Sequence, residues 1–227
     1  MIEVDLARSS VRALNERLHR LSPATNERYW RVLNPNGAHA IAVGVTQPVH
    51  VEIKGHVGYY CAGMNGAATI VVDGHAGTGL AENIMSGSVR VRGNASQSAA
   101  ASGRGGLVVI EGNASARCGI SMKGVAIVVG GSVGHMSAFM GQAGTLIVCG
   151  DAGHDLGDSL YEAEIFVAGT VASLGADCVE KEMAEGDFEC VATLLDRAGI
   201  VGDASCFRRY GSARRLYNFH IDHAAEY

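Results

Sequence analysis

Glycine recurs in this chain at Gly55, Gly74, Gly93, Gly112, Gly131, Gly150 and Gly169, an unbroken interval of 19 residues. Four more columns keep the same period. Ile53, Val72, Val91, Ile110, Val129, Val148 and Val167 stand two residues before each glycine, and Val51, Ile70, Val89, Val108, Ile127, Leu146 and Ile165 stand four before it. Two residues after each glycine comes Val or Ala, from Val57 to Val171, and seven after comes Ala or Gly, from Ala62 to Ala176.

Branched or aliphatic residues at every second position mark one inward face of a short strand. The glycine is expected to supply a bend with positive φ or a tight corner. The small columns suit places where a second wall of chain comes close to the core. A unit with one strand cannot bury its own face, so successive units must stack. Parallel stacking at about 4.8 Å per coil makes a rod of roughly 30 Å. A leucine-rich repeat would need Leu in most aliphatic columns, a left-handed hexapeptide helix needs a period divisible by six, and calcium-binding GGxGxD nonapeptides are absent. The expected fold is all-β: a single-stranded right-handed parallel β-helix of about seven coils over residues 49–178, with short helical caps at both ends.

The exposed strand edges of such a stack need covering. Residues 1–48 read as an N-terminal cap segment, with a helix over Ser10 to Leu21 that puts Val11, Leu14, Leu18 and Leu21 on one face. The turn-rich Asn34-Pro-Asn-Gly37 then leads into a strand-like run from Ala38 to Val45. Residues 179–227 hold a second helix, with Asp187 as its expected N-cap, Phe188, Val191, Leu194 and Leu195 as its stripe and Gly199 as its stop. A tail from Phe207 to Phe219 follows, interleaving arginines and aromatics. It either folds back on the rod or docks a partner, with Arg208, Arg209, Tyr210, Arg214, Arg215, Tyr217 and Phe219 as the candidate docking residues.

Composition narrows the partners. The 31 glycines against 3 prolines reflect the turns of the repeat, and a net charge of −5 gives no electrostatic case for nucleic acid or membrane. Met1-Ile-Glu-Val-Asp has no signal-peptide character, and six dispersed cysteines without a CxxC pair fit reduced thiols in the cytoplasm.

Candidate chemistry is sparse. His56 and His75 share one repeat column, and His135 and His154 another. The first column continues as Asn94, Asn113, Ser132 and Asp151, which reads as a polar ladder at a turn rather than a metal site. Cys118 and Cys149 lack any nucleophile signature and read as buried thiols. Gly103-Arg-Gly-Gly106 lacks the phosphate-loop pattern. Catalytic, cofactor-binding and metal-binding residues are therefore expected on other chains.

The segments Gly74-His-Ala-Gly77, Gly131-Ser-Val-Gly134 with His135-Met-Ser-Ala-Phe-Met140, Gly150-Asp-Ala-Gly153, Leu156 to Ala163 and Ser173 to Asp177 resemble the GXGXG domain of the glutamate synthase large subunit. That resemblance implies the right-handed β-helix. A free-standing chain of this size is similar to the small GXGXG subunits of N-methylglutamate synthases (methylamine–glutamate N-methyltransferases), and after them to the GXGXG subunits of formylmethanofuran dehydrogenases or to a free-standing glutamate synthase GXGXG subunit. In the first family the implied partners are a class II glutaminase-like subunit and a synthase subunit carrying FMN and an iron–sulfur cluster. Ile2 after Met1, and no closely spaced cysteine trio, agree with that division of labour.

Overall fold

The computed structural model describes residues 1–214. Nine parallel strands run in chain order along one sheet: β1 (Ile2–Asp5), β2 (Tyr29–Leu33), β3 (His50–Lys54), β4 (Thr69–Val72), β5 (Ser88–Val91), β6 (Leu107–Ile110), β7 (Lys123–Val129), β8 (Ala143–Val148) and β9 (Glu164–Val167). From β3 to β9 each strand pairs with the residue one repeat on, Val51 with Ile70 and Ile70 with Val89. The chain is a β-solenoid, as the 19-residue period requires.

A coil has three walls. The strand wall buries both aliphatic columns completely, from Val51 and Ile53 to Ile165 and Val167. Each such side chain contributes roughly 1.5–3 kcal/mol of transfer free energy. The second wall is a single-residue ladder of parallel bridges, Val57 to Ala76 to Ala95 and onward to Val171.

The third wall is built from left-handed residues at alternate positions. In the coil from Gly93 these are Ser98 (φ 59), Ala100 (φ 56) and Ser102 (φ 54). Ser98 and Ser102 donate their N–H groups forward to Ala116 and Ile120, while Ala100 donates back to Leu80. Left-handed backbone costs roughly 1–2 kcal/mol per L-residue. Hydrogen bonds in both axial directions hold it in place, each a net 0.5–1.5 kcal/mol or so. The Ala/Gly column lies here, fully buried at Ala62, Ala81, Ala100 and Ala138.

The solenoid begins earlier than residue 49. Trp30 pairs with Val51 and Ile2 with Trp30, so β1 and β2 extend the sheet into the N-terminal segment. The run Ala38–Val45 is not a strand but the left-handed wall of that earlier coil, with Ala40 at φ 56 and Ala42 at φ 54. Its apolar composition imitates a strand, although the buried residues Ile41, Ala42 and Val45 do not alternate.

Helix α1 (Val11–His19), capped by Ser10, closes this end with Leu14 and Leu18 buried. Asn15 on α1 donates to the Ala40 carbonyl at 2.8 Å and accepts from the Ala42 N–H at 3.0 Å. Its amide thus stands in for the missing preceding coil, whose carbonyl this N–H would otherwise meet.

At the other end β11 (Arg208–Ser212) lies antiparallel between β9 and β10 (Cys178–Lys181), and Tyr210 plugs the core. The second helix, α2 (Glu185–Ala198), does not cap the rod. It lies on the outer face of the sheet, where Val191, Leu194 and Leu195 cover Leu107, Val109, Val128, Ile147 and Phe166 in a separate core. Asp187 is the third residue of α2 rather than its N-cap, and its carboxylate accepts from the Ala184 N–H at 2.8 Å. Gly199 ends the helix in the left-handed conformation (φ 59), as expected.

Candidate functional site

The repeat glycines form one corner of every coil. Only Gly55 among them has a positive φ, 133°. Of the two expected roles, a positive-φ bend holds only for Gly55 and the tight corner for the rest, where closeness of the neighbouring coil is the reason for glycine. A Cβ on Gly74 would lie 2.6 Å from the Gly55 carbonyl carbon, and one on Gly150 2.6 Å from Ser132 Oγ. Each glycine N–H from Gly93 onward also donates to the glycine carbonyl one coil back, as Gly131 does to Gly112 at 2.9 Å.

The polar column beside the corner completes the rung. His56 Nδ1 accepts from the His75 N–H at 2.9 Å, and His75 Nδ1 from the Asn94 N–H at 2.8 Å. Asn94, Asn113, Ser132 and Asp151 each accept from the next coil in the same way. The Asp151 carboxyl is held below its ordinary range by the Thr170 backbone N–H and then by the Thr170 hydroxyl. The His56 and His75 rings stack at 4.9 Å with 4° between planes, and both Nδ1 atoms serve as acceptors. That occupies one nitrogen of each ring with a rung bond. His154 reaches only Ser173, at 3.4 Å. Among the described residues no group of three or more His, Cys, Asp or Glu converges as metal ligands.

The thiols follow the walls. Cys61 and Cys118 sit in one interior column of the left-handed wall, and burial pushes both up to about 12. Cys149, facing outward at the end of β8, is raised by partial burial. A thiol so raised carries little thiolate at neutral pH and is a poor nucleophile.

The C-terminal residues singled out by the sequence separate into two groups. Arg209 pairs with Glu164 at 2.5 Å and Asp187 at 3.2 Å, tying β11 to β9 and α2. Tyr210 is buried, Arg208 donates to the Gly169 carbonyl at 2.6 Å, and Arg214 pairs with Asp177. These four side chains are engaged within the chain's own fold. Arg215, Tyr217 and Phe219 lie outside the described residues. Beside the engaged group a cleft of about 250 Å³ opens, lined by Tyr161, Glu164, Lys181, Arg209, Ser212 and Arg214.

The sequence reading missed Asn15 and the covering role of α2. Asn15 sits in a helix stripe and carries no local signal. The α2 contact had one: the outward strand column reads Arg31, Glu52, Val71 and Arg90, then Val109, Val128, Ile147 and Phe166. Such a switch from polar to apolar requires a cover.

Among the described residues no helix is long and apolar enough to cross a membrane. No protein-family model matches the chain, and no solved structure matches it. Protein GlxC of Rhizobium meliloti (strain 1021) is 63% identical over 225 residues, which cover 99% of this chain and 99% of that protein. With an alignment that spans nearly all of both chains, the chain belongs to the family of Protein GlxC.

Proposed function

We propose that this chain is the non-catalytic scaffold subunit of a glutamate-synthase-like complex, and specifically of an N-methylglutamate synthase. In that assembly a class II glutaminase-like subunit and an FMN- and iron–sulfur-bearing synthase subunit carry the chemistry, and the cofactors stay with them. The observation that supports the reading is the use to which the regular part of the chain is put. Its interior columns are filled with aliphatic side chains and protonated thiols, and its corner acceptors are taken up by the backbone of the next coil. A rod of this kind holds its outer faces at fixed separations, because each coil sits one strand spacing from the next. Two active sites mounted on it would keep a constant distance, which suits transfer of a small amine between them.

Isolation of the tagged chain from its native host tests the reading. The expected result is co-elution with a flavoprotein and a glutaminase-like chain, and N-methylglutamate formation from methylamine and glutamate by the assembled fraction. A lone monomer with an activity of its own would sink it. Elution with a formylmethanofuran-type oxidoreductase would move the scaffold to the other complex.

A further inference from the structure

We propose that the left-handed wall of the solenoid and the corner that leads from it into the strands, around Arg117 on the wall and Arg104 and Lys123 at the corner, dock an acidic, partly apolar surface of another chain in the complex. The proposal rests on the scaffold reading and names the face that does the holding. Arg104 and Lys123 occupy the same column of successive coils. The Arg104 N–H donates to Ile84 at 2.7 Å and the Lys123 N–H to Gly103 at 2.7 Å, which places them on neighbouring rungs. Arg117 lies on the same coil as Lys123, with its N–H donating to His135 at 2.9 Å. All three side chains are exposed.

On the outer sheet face Arg31, Lys54, Arg90 and Arg92 all pair with carboxylates, through Glu52, Asp73 and Glu111. Among the described residues Arg104, Arg117 and Lys123 pair with none, in a chain whose net charge is −5. What distinguishes them is that Arg104 and Lys123 stand on adjacent rungs; Arg12, Arg17, Arg28, Lys181 and Arg197 also pair with no carboxylate among the described residues, but no two of these are one repeat apart. Like charges on adjacent rungs of a ladder repel and lower stability. An arrangement that costs the free chain stability and gains from an anionic partner is what an interface requires.

The margins fit a protein rather than a small anion. Met85 is 51% exposed and Met140 39%, on the coils before and after the cations, and Ile120 lies half-buried between them. Flexible methionine side chains adapt to a partner's apolar surface. The rung spacing of about 4.8 Å matches carboxylates about 5–6 Å apart, as on one face of a helix. The partner surface is therefore acidic at its centre and apolar at its edge.

The test uses the complex isolated from the native host. Arg104→Glu with Lys123→Glu should weaken retention of the partner chain by about ten-fold or more and remove most of its salt sensitivity. Arg12→Glu with Arg197→Glu, both exposed and remote from the wall, should leave retention unchanged. Melting curves confirm that both variants fold. A photocrosslinker at Ser121, the wall position between the cations, should join the chain to the glutaminase-like or flavoprotein subunit. Three results would overturn the inference: unchanged retention by the double reversal while wild type holds its partner, crosslinking to residues 215–227 or a second copy of this chain, or a nuclease-sensitive adduct. The first of these leaves the scaffold reading standing. Wild type that retains no partner chain removes both.

Discussion

At the scale of single residues, glycine is selected here by the neighbouring coil rather than by its own backbone angles. A Cβ on Gly112 would strike the Asn94 side chain and lie 2.9 Å from the Gly93 carbonyl oxygen. Relieving it must displace the Asn94 acceptor that holds Asn113. Gly112→Ala should therefore lower the unfolding free energy by about 2–4 kcal/mol, overpacking strain plus a lost rung bond. Gly186→Ala is the contrast: it lies in the first turn of α2 with open space around it and should be neutral or stabilising by up to about 1 kcal/mol. Urea unfolding of both variants checks the pair, and equal losses would refute the close-approach account. The buried thiols give a second residue-scale expectation. Below pH 9 they are protonated in folded and unfolded chains alike. Between the ordinary 9.0 and about 12, the unfolded chain releases protons that folded Cys61 and Cys118 retain, so stability falls as pH rises. Cys118→Ala should make that fall shallower by about 1.4 kcal/mol per pH unit. An unchanged slope from pH 9 to 11 would show that Cys118 is not sealed.

At the scale of elements, α2 and the outer sheet face form a core of their own. Leu195 is buried against it, while Arg90 reaches across to the Ala198 carbonyl at the end of the helix. Leu195→Ala should cost about 2–5 kcal/mol and speed amide exchange in α2 before it does so in β3 and β4. A loss below about 1 kcal/mol would mean the helix is not seated as described. How far these elements could be read in advance differs for physical reasons. The strands β3 to β9 were legible because burial on one face imposes a period of two within a period of 19. The left-handed wall was not, because its positions hold Tyr60, Ser98, Arg117, Met136 and Asp155, with no shared side-chain chemistry. Inter-coil backbone bonds impose that conformation, and they leave no mark on residue type except in the small Ala/Gly column. The first two strands escaped because Trp30 faces Val51 and Ile2 faces Trp30, offsets that break the period. Of the candidate docking residues, the sequence marked Arg209 and Tyr210 as unusual but could not distinguish an internal closure from an external contact. Arg104 and Lys123 are one 19-residue period apart and so share a column in the sequence; their exposure and their lack of a carboxylate partner came only with the fold.

At the scale of the whole molecule, a solenoid is a one-dimensional stack whose stability is close to a sum of coil and nearest-neighbour terms. Removing one coil should therefore shorten the rod without destroying it, provided every column is rejoined in phase. Deleting residues 55–73 joins Lys54 to Gly74 and brings β3 against β5. The glycine corner is preserved by Gly74 and Gly77, the polar rung by His75, and the left-handed wall by Gly79, Ala81 and Asn83. The cover of α2 over β6 to β9 is untouched, as are Asn15 at the start and Tyr210 at the end. The rejoined interface loses the Lys54–Asp73 and Arg92–Asp73 pairs, which are partly exposed and worth roughly 0–1 kcal/mol each. It should fold cooperatively, with an unchanged β signal by circular dichroism and a lower urea midpoint. Deleting residues 55–72 instead leaves one residue too many. The extra Asp73 must either bulge at the glycine corner, breaking the rung bonds there, or shift β3 by one so that the Val51 and Ile53 column faces the polar side of β5. That variant should aggregate or remain unfolded. If both deletions behave alike, the rod is not held by its columns. If only the in-phase deletion folds, and it still retains the partner chain, the deleted coil is not needed for docking, as a site around Arg104, Arg117 and Lys123 requires.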